Sequence, residues 1–215
     1  MPRAGLTPER IISVAATVAD EVGLDRLTLA AVAQRCGVSL PGLYKHVSGL
    51  DEVRRGIALL AVRELAAAGA RATAGVAAHV TWHMCYGATT GDPRRELGGA
   101  CIAMLADEGL AGCCSEVHLE TARNGMAEVE HLLPWAELPG KYAGIGVIDS
   151  SSSVVETVDD VAGRLRRALE VLPADKVVVS TDCGLSHLRR DVAFRKIRAL
   201  ALAVRQVRAE LDTIN

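Results

Sequence analysis

The sequence predicts a mixed fold, an all-α head carrying a helix-turn-helix followed by α/β units amounting to about half of a (β/α)8 barrel. Three observations predict it. Through residue 68 the apolar residues recur only at helical spacing. From residue 79 onward, short apolar runs alternate with amphipathic stretches, the pattern of parallel βα units. Between the two, residues 69–78 (GARATAGVAA) are small, contain glycine and have no strong period, which marks a break. The expected domains are residues 1–70 for the head, a linker over 71–78, and the α/β part over 79–215.

In the head, Ile11, Val14, Ala15, Val18, Ala19 and Val22 lie on one helical face, and Gly23 stops that helix. Thr28 is placed to cap a helix over 29–36, which Gly37 ends. Ser39 caps a short third helix, with Pro41 harmless in its first turn. A longer helix follows over 50–68. Segment 27–39 (LTLAAVAQRCGVS) has the grammar of a helix-turn-helix. Ala30 and Ala33 let two steeply crossed helices approach, Gly37 takes the left-handed turn, and Val32 and Val38 face the core. Cys36 reads as a small buried hydrophobe.

In the second part, strands are expected over 80–85, 114–119, 142–148 and 176–180. Each precedes a helix, over 96–108, 126–133, 157–172 and 190–211 in turn. That gives about four βα units, where a closed barrel has eight.

Composition narrows the function. Half of the chain is hydrophobic but only 3% is aromatic, so the core is built from Ala, Val, Leu and Ile. The formal charge is −2 overall, but residues 1–75 carry nine Lys/Arg against seven acids, a net +2 that leaves −4 for the rest. This asymmetry is too weak to identify a nucleic-acid binder by itself. The N-terminus has no apolar signal core, and the most apolar stretch, 57–78, is broken by Arg63, Glu64 and Arg71, which argues against a membrane span. Six cysteines without an export signal read as thiols or metal ligands, with the cytoplasm as the default location.

Two of those cysteines sit in a suggestive pattern. His83 and Cys85 are two residues apart on a strand, so both project from one face. Glu120 ends the second predicted strand and Cys183 follows the fourth. All four groups fall at C-terminal strand ends, where α/β barrels build their sites. A histidine, a carboxylate and two thiolates form a coherent tetrahedral zinc set. Cys101, Cys113 and Cys114 have no matched role; Cys114 is expected in strand core and Cys113 is an oxidation liability. His79, His118, His131 and His187 read as surface groups or as supports of the ligands.

Each part resembles a known family. Residues 6–68 resemble the TetR family of repressors through Leu27-Thr28, Val32-Ala33, Gly37-Val38-Ser39, the run Leu43-Tyr44-Lys45-His46-Val47 and the Asp51-Glu52-Val53 helix opening. The resemblance implies double-stranded DNA as partner and a homodimer. By position, Thr28, Tyr44, Lys45 and His46 suit phosphate contacts, while Ser39, Leu40 and Gly42 meet base edges. For Tyr44 and His46 a structural role, capping the small core or serving as a bonded histidine, competes with the phosphate contact. Leu50 stands where the family often has a lysine.

Residues 79–211 resemble the C-terminal catalytic domain of cobalamin-independent methionine synthase. The matching motifs are His83-Met84-Cys85-Tyr86, Leu119-Glu120-Thr121-Ala122-Arg123 with Met126 and Glu128, Gly146-Val147-Ile148-Asp149, and Asp182-Cys183-Gly184-Leu185. In that family zinc holds homocysteine as a thiolate that attacks the methyl group of a methyl-tetrahydrofolate. The resemblance implies zinc as cofactor, with His83, Cys85, Glu120 and Cys183 as its ligands. The first four strands of the family's barrel have no counterpart, and Ser151 stands where its methionine synthases often have a histidine.

Three functions follow as expectations. The first is a DNA-binding regulator whose second part dimerises and binds metal or a thiol such as homocysteine. The second is a zinc-dependent methyltransferase acting on that thiol, and the third a fusion without function.

Overall fold

The computed structural model describes residues 5–85 and 112–213, and these fall into two compact units, Met1–Ala68 and Gly69–Asn215. The helix expected over 96–108, and Cys101 within it, lie outside the described residues.

The first unit is helical. Helix α1 (Pro8–Val22) opens on Thr7, whose hydroxyl accepts from the Arg10 amide at 3.3 Å, and closes at Gly23 with φ of 90°. A 3-10 turn, Leu24–Arg26, leads to α2 (Leu29–Cys36). Gly37 ends α2 at φ 70° and ψ 30°, a left-handed conformation that costs glycine little. Then come α3 (Leu40–Leu43) and α4 (Leu50–Thr73). The core joins Ile11, Ala15 and Val18 of α1 to Val32 and Ala33 of α2 and to Leu43, Val47 and Val53. Val38 packs against it from the side, as does half-buried Cys36, whose thiol is pushed up by burial. Ala30 is exposed, so Ala33 alone of the expected small pair is buried in the core.

In the second unit the four described strands, β1 (Thr81–Met84), β2 (Glu116–Leu119), β3 (Tyr142–Ile148) and β4 (Val177–Thr181), form one parallel sheet in chain order. Helices α6 (Val158–Leu169) and α7 (Arg190–Asp212) pack on each other and against β3. A capping box opens α6: the Thr157 hydroxyl accepts from the Asp160 amide, and the Asp160 carboxylate accepts from the Thr157 amide and hydroxyl. Val161, Leu165 and Ala168 of α6, with Ala199, Ala203 and Val207 of α7, complete an aliphatic core behind β3. This is the small-residue interior that the low aromatic content predicts.

The segment after β2 departs from expectation. No helix starts at Met126; instead Gly125 and Met126 both take positive φ, 62° and 67°, which breaks any helix there. A 3-10 turn (Val129–Leu132) and the single-turn α5 (Leu133–Ala136) follow, and they bury Trp135 completely. Cys113 is buried, which shields it from the oxidation expected of it, and Cys114 is buried just ahead of β2 and not within it. Burial raises the Cys114 thiol to about 12, which keeps it protonated.

Candidate metal centre and groove-reading helix

Parallel strands bring their C-terminal ends to one rim, and three of the four deliver donor groups there. His83 is the third residue of β1, and Cys85 follows its last. Alternation sends both to the same face, with Met84 turned to the other. Glu120 directly follows β2, and Cys183 lies two residues beyond β4. One donor atom from each of His83, Cys85, Glu120 and Cys183 lies within 4.8 Å of the others. The two Sγ atoms are 3.9 Å apart. Two sulfurs on a tetrahedral zinc, each at about 2.3 Å, sit about 3.8 Å from one another. The donor set and its spacing therefore fit zinc, and all four residues singled out in the sequence come together.

The supports around these donors are specific. Strand register sets His83 beside His118, and their Nδ1 atoms are 2.7 Å apart. His118 is buried, and burial together with His83 pushes it down to about 4, so it is neutral at ordinary pH. Gly144 is the next residue across the register, and a Cβ there would lie 2.8 Å from that of His118. Only glycine lets the two strands approach this closely at His118. Asp182 bridges two loops, accepting from the amides of Ala122 at 2.9 Å and Arg123 at 3.0 Å. It thereby fastens the residue before Cys183 to the segment after Glu120. Burial raises Asp182 to about 6 against the two amide bonds. Thr121 donates to the Gly146 carbonyl at 2.6 Å, tying the Glu120 loop to β3 as well.

The loop after β3 is held from beneath. Lys196 of α7, fully buried, donates to the Asp149 carbonyl at 3.0 Å and to Glu156 at 2.8 Å. Glu156 also accepts from the Asp149 amide at 2.9 Å. Asp149 in turn accepts from the hydroxyl and amide of Ser151, and these bonds outweigh burial and keep its carboxyl below its ordinary range. Beside the donors is a cavity of about 330 Å³ lined by Cys85, Glu120, Arg123, Ser151, Cys183 and His187. A second, of about 500 Å³, runs over the strand face between Thr81, His118 and Ser180. Of the two readings the sequence left for His118, surface group or support of the ligands, burial beside His83 excludes the first; the roles of Asp182 and Lys196 were missed from the sequence. Lys196 carried a signal, because it shares the spacing of Ala199, Ala203 and Val207 on the buried face of α7.

In the first unit, Thr28 caps α2, its hydroxyl accepting from the Ala31 amide at 3.2 Å. Ser39 caps α3 by accepting from the Gly42 amide at 3.3 Å. Leu43 and Val47 are buried and anchor the segment from below. Thr28, Ser39, Leu40, Tyr44 and Lys45 are exposed, while Gly42 and His46 are half-buried. Tyr44 keeps 52% of its surface open, so it does not serve as a lid on the core.

Comparison with known proteins matches both units. The family described as cobalamin-independent synthase, catalytic domain, matches residues 60–206, and the tetR family of bacterial regulatory proteins matches residues 11–49. A 2-hydroxypropyl-CoM lyase of Xanthobacter autotrophicus is 53% identical over 66 residues, which are 31% of this chain and 18% of that protein. A methionine synthase of Pyrococcus abyssi is 30% identical over 142 residues, covering 66% of this chain and 37% of the other. The solved structure of a B12-independent methionine synthase from Shewanella sp. W3-18-1, in complex with selenomethionine, superposes with a TM-score of 0.59 at 26% identity. That match covers 76% of this chain and 52% of the other. The chain thus spans from under a fifth to about half the length of these relatives.

Proposed function

This chain belongs to the cobalamin-independent synthase catalytic-domain family, and from that premise we propose a DNA-binding regulator of TetR type whose second unit holds zinc and a small thiol. One observation carries the reading: four zinc-type donors converge within 4.8 Å on a chain whose other unit is an exposed helix-turn-helix.

His83, Cys85, Glu120 and Cys183 hold the metal. Bound there, zinc supplies the positive charge that keeps a coordinating thiol deprotonated. The chain's own residues do the rest. Glu120 brings a buried carboxylate, and Asp182 keeps the loops bearing Glu120 and Cys183 in step. The neighbouring cavity of about 330 Å³ accepts the body of the thiol, with Arg123, Ser151 and His187 on its walls. A methionine synthase and a 2-hydroxypropyl-CoM lyase as relatives support a sulfur ligand, with homocysteine as the first candidate.

In the head, exposed Thr28, Tyr44 and Lys45, with half-buried His46, meet phosphates and set register, while Ser39, Leu40 and Gly42 face base edges. Leu40 offers an apolar contact to a thymine methyl group. Reading two half-sites requires a homodimer. The strands β1 and β4 are the edges of the described sheet, and pairing two sheets through them buries unpaired backbone groups while joining two heads. The chain works where DNA and free thiols are found, the cytoplasm.

A second reading is zinc-dependent methyl transfer to homocysteine, favoured by the match to methionine synthases over 66% of the chain. Titration of a cobalt(II)-loaded sample with homocysteine, alongside fluorescence anisotropy on duplex DNA, separates the two. The regulator reading expects a change in the thiolate-to-cobalt absorption, DNA binding that weakens steeply with salt, and a dimeric mass. Salt-insensitive or absent DNA binding by a monomer, with turnover of a methyl donor, establishes the enzyme instead.

A further inference from the structure

We propose that His118 is a positioning residue that selects the metal-binding tautomer of His83. The inference rests on the zinc reading above and concerns a side chain outside the donor set.

The geometry restricts the protons. The Nδ1 atoms of His83 and His118 are 2.7 Å apart, so one carries a proton and the other accepts it. The rings are tilted by 41° with centroids 4.8 Å apart, an arrangement of neighbours in register and not a stack. Two neutral arrangements exist. If His118 donates, His83 carries its proton on Nε2 and has no lone pair there for a metal. If His83 donates from Nδ1, its Nε2 lone pair is free, and His118 carries its own proton on Nε2. Metal binding through His83 Nε2 and donation from His83 Nδ1 are therefore one event.

His118 is held where it can serve this role. It is 5% exposed, and its Cα and Cβ lie so close to Gly144 that a Cβ there would come within 2.9 and 2.8 Å of them. Its Nε2 is buried without a hydrogen-bond partner among the described residues, so the contact with His83 is made by Nδ1. Carboxylates and backbone carbonyls are the common supports of a metal-binding histidine; here a second neutral imidazole serves, and it accepts one hydrogen bond without adding negative charge beside two thiolates and Glu120.

Two measurements test this. In the first, zinc affinity is measured by competition with a chromophoric chelator for the parent chain, His118→Leu and His118→Asn. Leucine fills the space without an acceptor; asparagine can place its side-chain oxygen near the position of Nδ1. The expected result is zinc affinity about 10- to 100-fold weaker in His118→Leu, with most of the loss restored in His118→Asn. In the second, long-range 1H–15N spectra of the zinc-loaded parent read the tautomers directly, with His83 protonated on Nδ1 and His118 on Nε2. The second measurement decides the matter even if His118→Leu does not fold. A folded His118→Leu that binds zinc as tightly as the parent overturns the proposal, as does equal weakness in both variants or His83 metallated through Nδ1. A parent chain that takes up no zinc overturns the metal reading itself, and the proposal with it.

Discussion

Replacing Lys196 with methionine removes a charge from one of the most enclosed places in the second unit. The ammonium is fully buried, and its partner carboxylate on Glu156 is 8% exposed at 2.8 Å. Methionine matches the length of the lysine stem, so packing is nearly conserved and the loss is electrostatic. Two hydrogen bonds disappear, to Glu156 and to the Asp149 carbonyl. Removing one member of a buried pair typically costs about 3–5 kcal/mol, because the other charge is stranded. Here Arg164 stays 3.5 Å from Glu156 and the Asp149 amide still donates to it, which softens the loss to about 2–4 kcal/mol. Glu156→Leu strands the ammonium against a single carbonyl and costs at least as much. The double variant loses less than the sum of the two, by about 2 kcal/mol. Urea unfolding followed by tryptophan fluorescence measures this cleanly, since both tryptophans, Trp82 and Trp135, lie in the second unit. A Lys196→Met chain within about 0.5 kcal/mol of the parent, or strictly additive single variants, refutes the reasoning.

Other predictions follow from the same geometry. Gly146→Ala sets a Cβ 2.6 Å from the Asp182 Cα, where backbone cannot give way; we expect a loss of about 1–3 kcal/mol and weaker zinc binding, and parent-like values of both rule the account out. Lys45→Ala lowers the slope of log affinity against log salt by about one on any duplex, and an unchanged slope removes Lys45 from the phosphate contacts. The Asp160 carboxyl is held below its ordinary value by bonds from the Thr157 side chain and backbone, so it stabilises α6 at neutral pH. That contribution is complete above the unfolded value of 3.8 and disappears as pH falls through the lower folded value. Asp160→Asn should therefore flatten the acid limb of the stability curve, and a limb as steep as the parent's contradicts this.

Much of the fold was legible because its signals are local. Thr28, Gly37, Ser39 and Thr157 announce helix ends by the hydrogen bonds and φ values that only such residues supply, and the helices begin or end beside them. The four donors were legible because period-two alternation and strand ends suffice to put His83, Cys85, Glu120 and Cys183 on one rim. The segment over 126–133 was misread as helix: its apolar spacing is helical, but left-handed Gly125 and Met126 interrupt it. Met126 gives no sign of this in the sequence. Helix α4 runs to Thr73, into the break in composition, because a single glycine, Gly69, costs a helix interior only about 1 kcal/mol and the alanines beside it favour the helix. The contacts His83–His118 and Asp182–Ala122 join residues 35 and 60 positions apart, so they depend on strand register, which no local pattern encodes.

The most direct test is native mass spectrometry of the full chain after zinc loading and gel filtration. The account predicts one zinc per chain, lost when Cys85 and Cys183 are both replaced by serine while the fold is retained. A parent chain that emerges free of zinc, or a double variant that keeps the full complement, contradicts it.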